Sequence, residues 1–219
     1  MSEQRSGSRD ELVAHLAADL RPVKPLNVVR LSAIWLAVQL GLVFMVAMAM
    51  PRPDIVQAAE RPLFQGEMLA LLFGGFCAGL LAVRAAVPGW EPGKTTTVAV
   101  LALGAIAMSL FVLEGMMPAT LSQFVAAGWR CSAATLALAA LPCGILALIL
   151  RGGAPIAPVR AGLLAAAGGL FFAAAALRST CPGDEALHLL VWHGIPVAGG
   201  VAVAGLVATR VLGRWWQRP

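Results

Sequence analysis

Residues able to bind a metal or exchange protons and electrons are concentrated in one stretch of this sequence. Thr180 to Pro196, TCPGDEALHLLVWHGIP, holds Cys181, Asp184, Glu185, His188 and His193. Cys131, beside Arg130, offers a second thiol from an earlier segment. Two thiols facing an oxidising compartment can form a disulfide or bind a soft metal. His188 or His193 could join Cys131 and Cys181 around such a metal, with Asp184 and Glu114 as acidic support. On an α-helix the five-residue spacing sets the two histidines about 140° apart. They are therefore expected on different faces, with His188 on the side of Asp184, Glu185 and Trp192. The third histidine, His15, belongs to the N-terminal segment, so a bis-histidine haem site is not expected. The sequence has no HExxH, GxSxG or CxxC. Cys77 and Cys143 sit within apolar runs, where a thiol packs as a small hydrophobe.

These residues must be positioned by an unusual chain. It is 59% hydrophobic and 12% charged, with a mean hydropathy of +0.82, too few polar residues for a soluble domain's shell. In lipid a helix needs about 20 apolar residues to cross, and its backbone must satisfy its own hydrogen bonds. The expected fold class is all-α, a polytopic membrane protein of six transmembrane helices. The spans fall near 28–50, 66–87, 96–117, 133–150, 159–177 and 187–212. Pro51, Pro53, Pro88, Gly89, Pro118, Gly152, Gly153, Pro182 and Gly183 mark the short connections. The first run starts too late and is too long for a signal peptide, which predicts an uncleaved span. In the fifth, VRAGLLAAAGGLFFAAAAL, small residues predict close helix contacts.

The chain divides into a cytoplasmic segment 1–27, the membrane domain 28–212 and a cytoplasmic tail 213–219. In the first segment Ser8 and Glu11 have capping-box spacing, and Glu11 to Leu20 reads as a short helix. Leu12, Leu16 and Leu20, with Val13 beside them, share one face. Such a face can lie on lipid or fill a groove of a cytoplasmic partner. Pro22 and Pro25 end the helix before the membrane.

Basic residues set the orientation. Of the 16 Lys and Arg, Arg5, Arg9, Arg21, Lys24, Arg30, Arg84, Lys94, Arg151, Arg160, Arg210, Arg214 and Arg218 fall on one side. Only Arg52, Arg61, Arg130 and Arg178 fall on the other. The positive-inside rule then puts both termini in the cytoplasm. The net charge of +5 reflects this placement, and no direct contact with nucleic acid is expected. Cys131 and Cys181 come out on the periplasmic side, each expected at a helix N-terminus where the dipole favours a thiolate. Glu67 and Glu114 lie near the same interface and are candidate ion-pathway carboxylates.

The form LxxxLaxDLxPVxPL before the first span is carried by Leu12, Leu16, Asp19, Leu20, Pro22, Val23, Pro25 and Leu26. With Cys131, then Cys181 and Trp192-His193 near the last span, the chain resembles the NrsF-type multi-pass membrane anti-sigma factors over nearly its whole length. The resemblance implies a regulator of the bacterial inner membrane, not an enzyme. Its N-terminal segment would hold an extracytoplasmic-function (ECF) sigma factor, with Leu12, Val13, Leu16, Asp19 and Leu20 as candidate contacts. Cys131 and Cys181 would be the sensor of oxidant or heavy-metal stress. No cofactor is expected beyond a soft metal ion at these cysteines. A membrane thiol oxidoreductase and a small-solute or ion transporter are the alternative functions. The inducing signal, the sigma partner's identity and the oligomeric state are not written in the sequence.

Overall fold

The computed structural model describes residues 11–15, 17–18, 26–113 and 121–212. Within them the chain forms helices joined by short turns, with no strand. Six helices are long and apolar enough to cross a membrane: Val28–Ala49, Pro62–Ala85, Lys94–Leu113, Gly128–Gly152, Pro158–Arg178 and Ala186–Leu212. These are the six spans expected from the apolar runs. Asn27 caps the first by accepting the Arg30 N–H at 3.0 Å. Pro62 and Pro158 open the second and fifth helices, where a missing N–H leaves no bond unmade.

Two elements differ from expectation. A short helix, Ile55–Glu60, fills the connection between the first two spans. The helix of the fourth span begins at Leu121 and runs to Gly152, well ahead of the expected start near 133. Its leading stretch, LSQFVAAGWR, is too polar to join an apolar run, yet it holds no proline and Gly128 is its one strongly helix-disfavouring residue.

The fifth span is the axis of the bundle. Its apolar window is 83% buried, against 11% for the first span, and it packs against every other span. Its alanines and glycines allow this where lipid gives no hydrophobic drive. At the crossing with the second span, a Cβ added to Gly168 would lie 3.0 Å from the Gly79 Cα, so neither position has room for a side chain. The first span is pinned to this crossing. Its Trp35 indole lies on Gly79 and meets Phe172 edge-on, with centroids 5.9 Å apart. Gln39 Nε2 donates to the Gly168 carbonyl at 3.1 Å. The Cys143 thiol covers Gly169 and reaches the Ala165 and Ala166 carbonyls at 3.8 Å. Cys77 lies partly buried against the same core. Both serve as packing groups.

The bundle has two unlike ends. At one, the Ala154 N–H donates to the Ala86 carbonyl at 3.0 Å and Arg160 Nη1 donates to the Pro92 carbonyl at 3.0 Å. The other end carries Cys131 and Cys181. Residues 11–15 and 17–18 are helical, with Leu12 and Val13 each 58% exposed. Leu16, Asp19, Leu20 and Glu114 lie outside the described residues.

Candidate functional site

The two cysteines meet. Cys131 projects from the helix of the fourth span and Cys181 from the link between the fifth and sixth, with their sulfurs 3.7 Å apart. That exceeds the ~2.05 Å of a disulfide and suits a thiol donating to a thiolate. Neither cysteine occupies a helix N-terminus. Cys131 lies well inside a helix that starts at Leu121, and five linking residues, 181–185, precede the helix at Ala186. The dipole expected to favour both thiolates is therefore not what acts on them. The Cys181 thiol is instead held below its ordinary pKa by the hydrogen bond from Cys131. His188 Nε2, 3.4 Å from the Cys181 sulfur, assists against the opposing effect of burial. The backbone fixes both residues. The Cys181 N–H donates to the Leu177 carbonyl at 2.8 Å, and the Thr135 hydroxyl donates to the Cys131 carbonyl at 2.9 Å.

The histidines also meet, contrary to expectation. Their rings are 5.5 Å apart between centroids, because Leu189–Gly194 is a π-helical turn. A π-turn bonds residue i to i+5, as the Ile195 N–H does to the Leu190 carbonyl. Residues five apart then come back to nearly the same side. Pro196 favours this turn. It has no N–H for the Trp192 carbonyl, and in an α-helix its ring would press on that carbonyl. The wider turn relieves the clash, and the Ser132 hydroxyl donates to the freed Trp192 carbonyl at 2.9 Å. The Trp192 indole lies against Gly128, with Phe124 at 5.4 Å between centroids. Ser132 and Pro196 are thus positioning residues that sequence reasoning missed. A proline inside an expected span was the available signal.

Cys131, Cys181, His188 and His193 each offer a ligand atom, and these atoms all lie within 4.8 Å of one another. His193 is fully buried, and neither ring nitrogen has a hydrogen-bond partner among the described residues. Cys131, Cys181 and His188 line a cavity of about 940 Å³, together with Arg130, Thr180 and Glu185.

Asp184 is beside this cluster but faces arginines. Arg52 Nη2 donates to it at 2.8 Å, Arg61 Nη2 at 2.7 Å and Arg178 Nη1 at 2.9 Å. Burial would raise the Asp184 carboxyl, but these three donors together hold it below the usual carboxylate range. Arg52 Nε also donates to Asp54 at 2.8 Å, and Arg178 Nε to Glu67 at 2.8 Å. The Phe64 ring lies under both guanidiniums, 5.7 Å from Arg52 and 5.1 Å from Arg178. Glu67 is accordingly half of a fully buried ion pair. Three of the four arginines that stood apart from the basic side are thus drawn into one network. Arg130 lies over the Trp129 ring at 5.9 Å.

Comparison with curated proteins and with solved structures gives no match. The family model described as negative regulator of sigma F, NrsF, matches residues 16–215, a stretch that takes in all six spans and both cysteines of the site. The chain belongs to the NrsF family of negative regulators of a sigma factor.

Proposed function

We propose that this regulator holds an ECF sigma factor at the bacterial inner membrane through its cytoplasmic N-terminal segment. It releases that partner when oxidant or a soft metal reaches Cys131 and Cys181 from the periplasm. The observation that carries the sensing half is the 3.7 Å separation of two sulfurs borne by different parts of the bundle. Oxidation would join them, with two protons lost and two electrons passed to the oxidant. The sulfurs would close to about 2.05 Å, drawing the fourth span toward the link before the sixth. A change from 1:99 to 99:1 between two packings needs a bias of about 5.5 kcal/mol, within reach of a new covalent or metal–thiolate bond. On the output side, the exposed Leu12 and Val13 share a short segment with Leu16, Asp19 and Leu20. This segment offers apolar anchors and one acid to a partner's groove.

The test is sigma-dependent transcription from a reporter. With Cys131→Ser and Cys181→Ser combined, repression persists and induction by oxidant or soft metal disappears. Intact induction would remove the sensor assignment. Deleting residues 1–27 derepresses the reporter without any stimulus, and repression that survives the deletion would remove the docking assignment.

A further inference from the structure

We propose that Cys131, Cys181, His188 and His193 together bind one divalent d¹⁰ cation of the zinc class in four-coordinate geometry. This rests on the reading that the two thiols are the stimulus site, and it adds two imidazoles and a defined occupant.

The distances fit such an ion. With Zn–S near 2.3 Å and Zn–N near 2.0–2.1 Å, a tetrahedral site holds its sulfurs ~3.8 Å apart and a sulfur ~3.6 Å from a nitrogen. Here the sulfurs are 3.7 Å apart, and the Cys181 sulfur is 3.4 Å from His188 Nε2. No ligand atom of the four lies more than 4.8 Å from another. The donor set is as telling as the spacing. Two thiolates and two neutral imidazoles select zinc-class ions over magnesium and calcium, which require oxygen donors. Of the two acids beside the cluster, Asp184 is occupied by arginines, which leaves Glu185 at the cavity wall as a single oxygen donor. Two thiolate charges also neutralise a divalent ion, which matters because an unbalanced buried charge is strongly unfavourable.

A second observation points to a ligand independently. His193 is fully buried with both ring nitrogens unpartnered among the described residues, an arrangement that disfavours burial unless something bonds the ring. Coordination would bond one nitrogen. The π-turn, a form frequent at functional sites, is what brings this ring to His188 and the sulfurs. The cavity lined by Cys131, Cys181 and His188 provides an entry path. Binding makes two metal–sulfur and two metal–nitrogen bonds and displaces the remaining thiol protons, with no change of oxidation state.

The test uses the full chain, purified in detergent, reduced and metal-free. Titration with Co²⁺ is expected to saturate at one equivalent, with thiolate-to-cobalt charge transfer and tetrahedral d–d bands, both erased by Zn²⁺. Cys131→Ser, Cys181→Ser, His188→Gln and His193→Gln should each weaken Zn²⁺ binding by more than about 100-fold, beyond the usual effect of losing a mere outer-shell partner. A Cys77→Ser, Cys143→Ser chain should bind as wild type does. Should a ligand variant fail to fold, the wild type still decides, because Zn²⁺ must shield Cys131 and Cys181 from alkylation. No tetrahedral cobalt spectrum, no shielding, or histidine variants that bind as wild type would each overturn the proposal. Its failure is separable from that of the sensing reading. If no metal binds while the double cysteine variant still loses induction, the sensor stands without the metal. If metal binds while that variant keeps induction, the metal site stands without the sensor.

Discussion

The two ends of the bundle close their helices with different chemistry. Away from the cysteines, the bonds between separate connections run to backbone carbonyls, as when Ala154 bonds to Ala86 and Arg160 to Pro92. There Arg84 lies over the exposed ring of Trp90. At the cysteine end, Arg52 and Arg178 have fully buried side chains, and carboxylates balance them. A charge left in solvent can lose a partner at little cost, whereas one taken out of water cannot. The cysteine end is therefore over-determined. Its loops are fixed by charges that have nowhere else to go, and Cys181 sits only three residues before the acid on which they converge. The Arg52 N–H adds a bond to the Ser179 carbonyl at 3.2 Å, tying the first connection to the same link. The difference teaches that arginines on the sparsely basic side of a membrane protein need not be orientation signals. Here they position a site.

The sharpest way to break this contrast is Glu67→Ala. It removes the carboxylate beside buried Arg178 and should lower stability by about 3–5 kcal/mol, read by unfolding in mixed detergent. Arg160→Ala at the opposite end should cost under about 1 kcal/mol, and equal losses would erase the distinction. A smaller effect is expected from Gly128→Leu, where the new side chain must displace the Trp192 indole. Overpacking of this kind costs about 1–3 kcal/mol, while Gly144→Leu, with nothing within 4 Å of its Cβ position, should be close to silent. The pH dependence sharpens the comparison further. Because the Asp184 carboxyl is lowered on folding, its contribution is complete above the ordinary carboxylate pKa of about 3.9 and is lost as pH falls through the lower folded value. Unfolding curves in acid should therefore fall more steeply for wild type than for Asp184→Asn. The smallest effect belongs to Cys143→Ala, about 1 kcal/mol or less for one buried group, with alkylation of Cys131 and Cys181 unchanged.

How far each feature could be read in advance follows from its physics. The spans were legible because apolar length is a property of consecutive residues, and five of the six began within a few positions of the expected start. The early start of the fourth helix was hidden because Leu121 to Arg130 mixes polar and apolar residues. A pairing of Cys131 with Cys181 was expected from two thiols on one side of the membrane, but their contact was left open, since contact between two helices is not encoded in either alone. The roles of Arg52, Arg61 and Arg178 depend on three separate segments converging on Asp184, and no local spacing announces that. His188 and His193 were misplaced for a different reason. Their expected angle follows from α-helical bonding, and Pro196 works against that bonding at the Trp192 carbonyl.

The π-turn has a consequence for anyone searching sequences for such sites. A π-turn is equivalent to an α-helical turn carrying one inserted residue, so this pair behaves as an HxxxH motif split by a fifth position. Read as HxxxxH, it falls outside every helical metal-ligand pattern. Removing Val191 together with Pro196→Ala should therefore restore an α-turn and still leave the two imidazoles facing together. Pro196→Ala, which lets the α-turn form without shortening the chain, should drive them apart. Two changes that both regularise the same helix would then have opposite effects on the pair.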